Sequence, residues 1–233
     1  MIIVRNERLV TRNNRIGTYS GIISILILGA GMYISFKYPD LISWSVIALA
    51  SGFTLSQVGI YYSNRFGRSP RPDETLDSAL KGLDNQYALY HYQSPVTHLL
   101  VGPSGLWILF PFPQKGKIIY QENKGRWKKV GGSAYLKFFA QDNIGSPDKD
   151  ITSSTKRLRK ELANIPDFEV PEIRSALVFS DENAIVEADN APVPTVHARQ
   201  LKKLIRKEAK GDHSLPTPTI KTIQDYLGVK SIH

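Results

Sequence analysis

The stretch PVTHLLVGPSGLWILFPFPQKGKIIYQENKGRW, residues 95–127, decides how the rest of the chain is read. Residues 98–101 and 106–110 are nearly uninterrupted apolar runs on either side of the Gly-Pro-Ser-Gly turn at 102–105. A third run, 117–121, leads to a Gly-containing turn before Trp127. Short runs bounded by turn residues read as strands, and connections this brief make them three antiparallel neighbours. Residues 106–110 show no polar alternation, so they are expected to form a central strand covered on both faces.

Working outward, residues 72–83 carry a helix signature. Pro72 suits a first turn, Asp73 and Glu74 suit the helix dipole, and Leu76, Ala79, Leu80 and Leu83 fall on one face. Residues 87–92 read as the first strand. Residues 146–165 read as a helix begun by Ser146-Pro147, which buries Ile151, Leu158, Leu162 and Ile165. Strands are expected at 173–180, 184–187 and 193–197, and helices at 198–210 and 216–227. This alternation predicts an α/β (α+β) unit with a mixed sheet. His91 and His98 lie on separate strands without Cys, His or clustered acids at ligand spacing, so both read as structural and no metal site is expected.

The segments 97–108, Lys115-Gly116-Lys117-Ile118 and Gly125-Arg126-Trp127 resemble the nuclease-related domain (NERD) family, a branch of the restriction-endonuclease-like superfamily. The resemblance runs from about Glu74 to the last helix. It implies a restriction-endonuclease-like mixed sheet flanked by helices. In that family an Asp precedes the Val-Gly-Pro turn and a Glu-x-Lys ends the following strand. Here those positions are Thr97, Phe110 and Phe112. Metal-assisted phosphodiester cleavage needs hard oxygen ligands and an activated water, and these three side chains supply neither. Glu74 matches the family's glutamate on the first helix and has two readings, a remnant of the site or an ordinary acid in a first helical turn. The intact Glu122-Asn123-Lys124 sits on a turn, one strand too late. The resemblance therefore implies a catalytically degenerate nuclease fold with no cofactor. Mg²⁺ enters only if ligands have moved, for instance to Glu74 with Asp181, Glu182 or Glu187.

The first 72 residues lie outside the resemblance. Residues 16–36 and 41–62 hold no charge and are long enough to cross a bilayer, with Lys37-Tyr38-Pro39-Asp40 between them. The expected organisation is a basic arm at 1–15, two spans within 16–63, a polar linker at 64–72 and a soluble domain at 73–233. A cleaved signal peptide does not fit, because the first run is too long and a second follows at once. Arg5, Arg8, Arg12 and Arg15 precede the first span and Arg65, Arg68 and Arg71 follow the second, against Lys37 alone in the connection. By the positive-inside rule the chain is a multi-pass protein of the cell membrane with both termini and the domain cytoplasmic. Gly17, Gly21, Gly29 and Gly31 allow close helix approach, either within the hairpin or between copies in a homo-oligomer. The chain has no cysteine, which excludes a disulfide framework and thiolate metal sites.

The net charge is +9, and about +6 of it falls in the soluble part, linker and domain together. Lys115, Lys117, Lys124, Arg126, Lys128 and Lys129 crowd one hairpin beside Tyr120 and Trp127. Cations of this density grip phosphates, whether of nucleic acid or of anionic lipid. Trp127 has two readings, a stacking platform for a base or a core residue of the hairpin. The expected function is a membrane-anchored, inactive nuclease-fold module that binds nucleic acid through Lys117, Lys124, Arg126, Lys128 and Lys129, or a protein partner. An active nuclease with relocated ligands and a purely structural assembly protein are the alternatives. Nothing in the sequence points to a small-molecule substrate.

Overall fold

The computed structural model describes residues 1–130, 144–211 and 214–230. Two compact units emerge. One is a helical hairpin, Glu7–Arg71; the other is a sheet unit of Met1–Asn6 and the described residues from Pro72 on.

The hairpin consists of α1 (Glu7–Lys37), a single 3₁₀ turn (Pro39–Leu41) and α2 (Ile42–Tyr62), which continues as a π-helical turn over Ser63–Gly67. At 1.5 Å per residue α1 and α2 extend for about 46 and 32 Å, against a hydrocarbon thickness of about 30 Å. Both are long and apolar enough to cross a membrane. Their packing inverts that of a soluble protein. The buried positions include Gly17, Ser24 and Gly31 on α1 and Ser45, Gly52 and Gly59 on α2, each set spaced by seven residues. Ser45 donates its hydroxyl across the seam to the Gly31 carbonyl at 2.7 Å. A Cβ on Gly59 would lie 3.0 Å from the Gly21 nitrogen, and one on Gly52 2.9 Å from Leu28. The large apolar groups, among them Ile25, Leu26, Phe36 and Trp44, point outward. Small residues inside and large ones outside suit helices solvated by lipid, where close backbone approach rather than hydrophobic burial holds the pair.

The sheet unit is built on six strands in the order β1-β2-β3-β4-β7-β9. These are β1 (Ile2–Arg5), β2 (Ala88–His91), β3 (His98–Gly102), β4 (Gly105–Phe112), β7 (Ile173–Phe179) and β9 (Thr195–His197). β2, β3 and β4 form an antiparallel meander, while β1, β7 and β9 add in parallel. On one face α3 (Pro72–Leu80) and α5 (Ala198–Glu208) cover Leu89, Leu100, Trp107 and Leu109. On the other, α4 (Pro147–Leu162) and α6 (Thr217–Lys230) cover Leu99, Val101, Leu106 and Ile108. β4 is therefore central and buried on both sides, which accounts for its unbroken apolar sequence. The architecture is mixed α/β.

Two expectations change. The run at 117–121 does not extend the meander. It is β5 (Gly116–Gln121), in a separate sheet of order β6-β5-β8 with β6 (Arg126–Val130) and β8 (Ala184–Glu187). The edge of β4 that it was expected to occupy is taken by β7, and Pro113 and the positive φ of Gly116, +93°, turn the chain away. The second change is at the N-terminus, where residues 2–5 are a strand rather than part of an arm. The Ile2 N–H donates to the Tyr87 carbonyl at 2.8 Å and the Asn6 N–H to the His91 carbonyl at 3.0 Å. α1 then starts at Glu7, so Arg8, Arg12 and Arg15 are helical. The hairpin is thus an insertion within the sheet unit, between β1 and α3.

Candidate functional site

β5 and β6 pair with Lys117 opposite Val130, Ile119 opposite Lys128 and Gln121 opposite Arg126, while Ile118 faces Lys129 and Tyr120 faces Trp127. Since successive residues of a strand point to opposite faces, the hairpin's cations divide. Lys117, Arg126 and Lys128 share the outer face of the small sheet, with Lys124 on the exposed 3₁₀ turn Glu122–Lys124 at its tip. Lys129 lies on the inner face and is buried. Lys117 is held 2.6 Å from Glu187 on the neighbouring β8. The outer face also exposes Val130 (43%) and Ile185 (58%).

Trp127 is buried on the inner face, its indole N–H donating to Thr195 Oγ1 at 3.1 Å and its ring 4.8 Å from that of Tyr120. The stacking-platform reading of Trp127 is therefore corrected. The core reading, set by strand alternation, is the one the fold uses.

Of the positions that the sequence resemblance aligned with charged residues, Phe110 and Phe112 lie where the two sheets meet. Phe110 and Phe112 share a face of β4, pack into the cluster around Ile118, Trp127 and Leu177, and Phe112 stacks on Phe179 at 5.3 Å. Thr97 immediately precedes β3, its carbonyl accepting from the Tyr92 N–H at 2.9 Å. Glu74 is on α3, which packs on the opposite face of the sheet from Phe110. The acids named for relocated ligands are scattered. Glu187 meets Lys117, Glu182 meets Arg199 at 2.9 Å, and Asp181 accepts from the Asn183 N–H at 2.8 Å. Among the described residues no group of three or more His, Asp or Glu side chains is placed to hold a metal ion.

The structure assembles one polar cluster that the sequence reading did not foresee. Arg5, His91 and His98 stand in a lateral row across β1, β2 and β3, on the face covered by α3. α3 brings Asp73 and Asp77, one turn apart, onto this row. Asp73, fully buried, lies 2.8 Å from Arg5 Nε, and Asp77 pairs with the same guanidinium. The other oxygen of Asp77 is 2.9 Å from His91 Nε2, and His91 Nδ1 is 2.7 Å from His98 Nδ1. A carboxylate at Nε2 calls for the proton there, so in the neutral pair His91 Nδ1 accepts and His98 Nδ1 donates. Tyr92, at a positive φ of 61°, packs its ring 5.1 Å from His98. The two histidines thus have each other and Asp77 as partners, a juxtaposition that their sequence spacing does not reveal. Strand pairing rather than sequence spacing supplies them. The cluster joins the strand just before the hairpin to the helix just after it.

No protein-family model matches the chain, and no curated protein or solved structure does.

Proposed function

We propose that this chain is a membrane-anchored module whose sheet unit binds nucleic acid through phosphates without cutting it. In this reading the hairpin crosses the bilayer twice and the sheet unit, a degenerate NERD-like and restriction-endonuclease-like domain, lies on the cytoplasmic face. The observation that carries the binding role is the outer face of β5 and β6, where Lys117, Arg126 and Lys128 project together beside Lys124. With Trp127 in the core, recognition rests on charge and not on base stacking, so binding is sequence-tolerant and equally good for single and double strands. Phe110 and Phe112 argue for binding without hydrolysis, because hydrocarbon at these positions cannot hold Mg²⁺ or steady developing phosphorane charge. Val130 and Ile185 on the same face favour a protein partner as the second reading.

The test uses the full chain in detergent. Oligonucleotide affinity should fall by roughly 0.7 to 0.9 log units per phosphate contact for each decade of salt. Arg126→Glu/Lys128→Glu should abolish it, and no Mg²⁺-dependent cleavage should accompany it. Undiminished affinity in the charge-reversed variant would overturn the binding role. Cleavage lost in Glu74→Ala would instead establish the relocated-ligand nuclease.

A further inference from the structure

An open groove of about 710 Å³ runs along the N-terminal half of α1, with Leu55 of α2 at its side, lined by residues including Arg8, Arg12, Arg15, Ile16 and Tyr19. The lining is sorted by depth. Arg8, Arg12, Arg15 and Tyr19 follow one another at spacings of four, three and four on one face of α1, which stacks them along a single stripe. All four are exposed. None of the three arginines has an acidic partner among the described residues; Glu7 sits at the rim and leaves the groove a net +2. Below the arginines the wall becomes apolar, with Ile16, Ile23 and Leu55, interrupted by the hydroxyls of Tyr19 and Ser20.

We infer that this groove is a binding site for one anionic phospholipid of the leaflet next to the sheet unit, an inference that rests on the reading of the hairpin as a membrane anchor. The dimensions fit that occupant. If the hydrocarbon begins near Ile16, Arg15 and Arg12 stand about 1.5 and 6 Å above its edge. The polar layer on each side of a bilayer is about 5 to 7 Å deep, so both guanidiniums reach the depth of the lipid phosphate, with Arg8 at the outer headgroup. A planar fork binds phosphate oxygens in pairs, the long Tyr19 side chain leans toward the helix N-terminus and brings its hydroxyl back toward the ester level, and Ile23 and Leu55 take the start of an acyl chain. Zwitterionic lipid fits the apolar part equally well, but it brings its own cation to the arginine end, where an anionic headgroup brings none. The selectivity therefore comes from the three arginines.

The test is lipid retention by the full chain. Reconstituted in vesicles of four parts phosphatidylcholine to one of phosphatidylglycerol and then extracted in mild detergent, the protein should retain phosphatidylglycerol above its bath proportion when the bound lipid is weighed by native mass spectrometry. Each arginine near an anionic surface is worth about five-fold in affinity, so Arg12→Gln/Arg15→Gln should reduce the preference by roughly 25-fold. Lys117→Gln/Lys128→Gln should leave it intact, and a preference that follows that variant instead would overturn the groove. Flotation with pure phosphatidylcholine vesicles separates the two claims. A wild-type chain that floats yet retains both lipids in bath proportion refutes the groove alone, whereas one that does not float refutes the anchor and the groove together.

Discussion

Asp73 is the most fully enclosed acid among the described residues, with Arg5 as the cation beside it. Removing Asp73 takes one charged partner from Arg5 and leaves it Asp77, so the loss is that of a single charge-assisted contact, about 1.5 to 3 kcal/mol. Asp73→Ala is therefore expected to destabilise the sheet unit by about 2 kcal/mol, read as an earlier denaturant midpoint in the emission of the buried Trp107 and Trp127. Asp73→Asn, which keeps an acceptor, should do less harm, and an unshifted midpoint in Asp73→Ala would show that the cluster is not a clamp. Tyr90 gives a second handle. Burial, assisted by Asp225, pushes its phenol up to about 12 from 10.0. A raised folded-state value means the phenol's contribution is complete below pH 10 and is lost as pH rises through 12. The alkaline limb of the stability profile should accordingly flatten in Tyr90→Phe, and an identical limb would exclude Tyr90 as its source. His91 and His98 were visible in the sequence as strand residues, yet their partnership was not. It depends on the strand register that sets them opposite each other, and on a helix that the sequence placed correctly without revealing which face of the sheet it covers.

Among the elements, the helical hairpin shows most clearly what composition does and does not convey. The two apolar runs are legible because length and absence of charge are local properties. The seam is not, because it is a pairing property: Gly17, Ser24 and Gly31 meet Ser45, Gly52 and Gly59 only once both helices are laid antiparallel. Gly21 also approaches Gly59, whereas a Cβ on Gly29 meets nothing within 4 Å. Most of the glycines the sequence offered for association are thus engaged inside the hairpin. Gly59→Leu should force the helices apart, at about 1 to 3 kcal/mol as for other overpacked interiors, while Gly29→Leu should leave the pair unaffected. Thermal loss of helix ellipticity in micelles distinguishes them, and equal melting of the two variants would disprove the seam. The misassigned strand β5 has a similar cause. A run of apolar residues after a turn fixes that a strand forms, but the neighbour it takes depends on whether β7, some 60 residues later, has already claimed the edge.

For the whole molecule, connectivity constrains topology more tightly than the flanking charges do. β1 lies in the same sheet as strands that follow the hairpin, so if the hairpin spans a bilayer its two ends start from one side, whichever side that is. Within the proposed two-span reading, charge then selects between two orientations: seven arginines flank the ends of the hairpin that join the sheet unit and Lys37, closing α1, is the one cation at the other end, a bias from which the positive-inside rule predicts a cytoplasmic sheet unit. The absence of any cysteine makes the choice measurable without a background to remove. Asp40→Cys, in the exposed turn between α1 and α2, should react with a membrane-impermeant maleimide on intact cells. Lys124→Cys, on the exposed tip of the β5–β6 hairpin, should react only after lysis. The reverse pattern would invert the orientation and deprive the basic sheet face of cytoplasmic nucleic acid as a ligand. Labelling of both sites in intact cells would rule out the two-span hairpin itself, because positions on opposite sides of a bilayer cannot both face the medium.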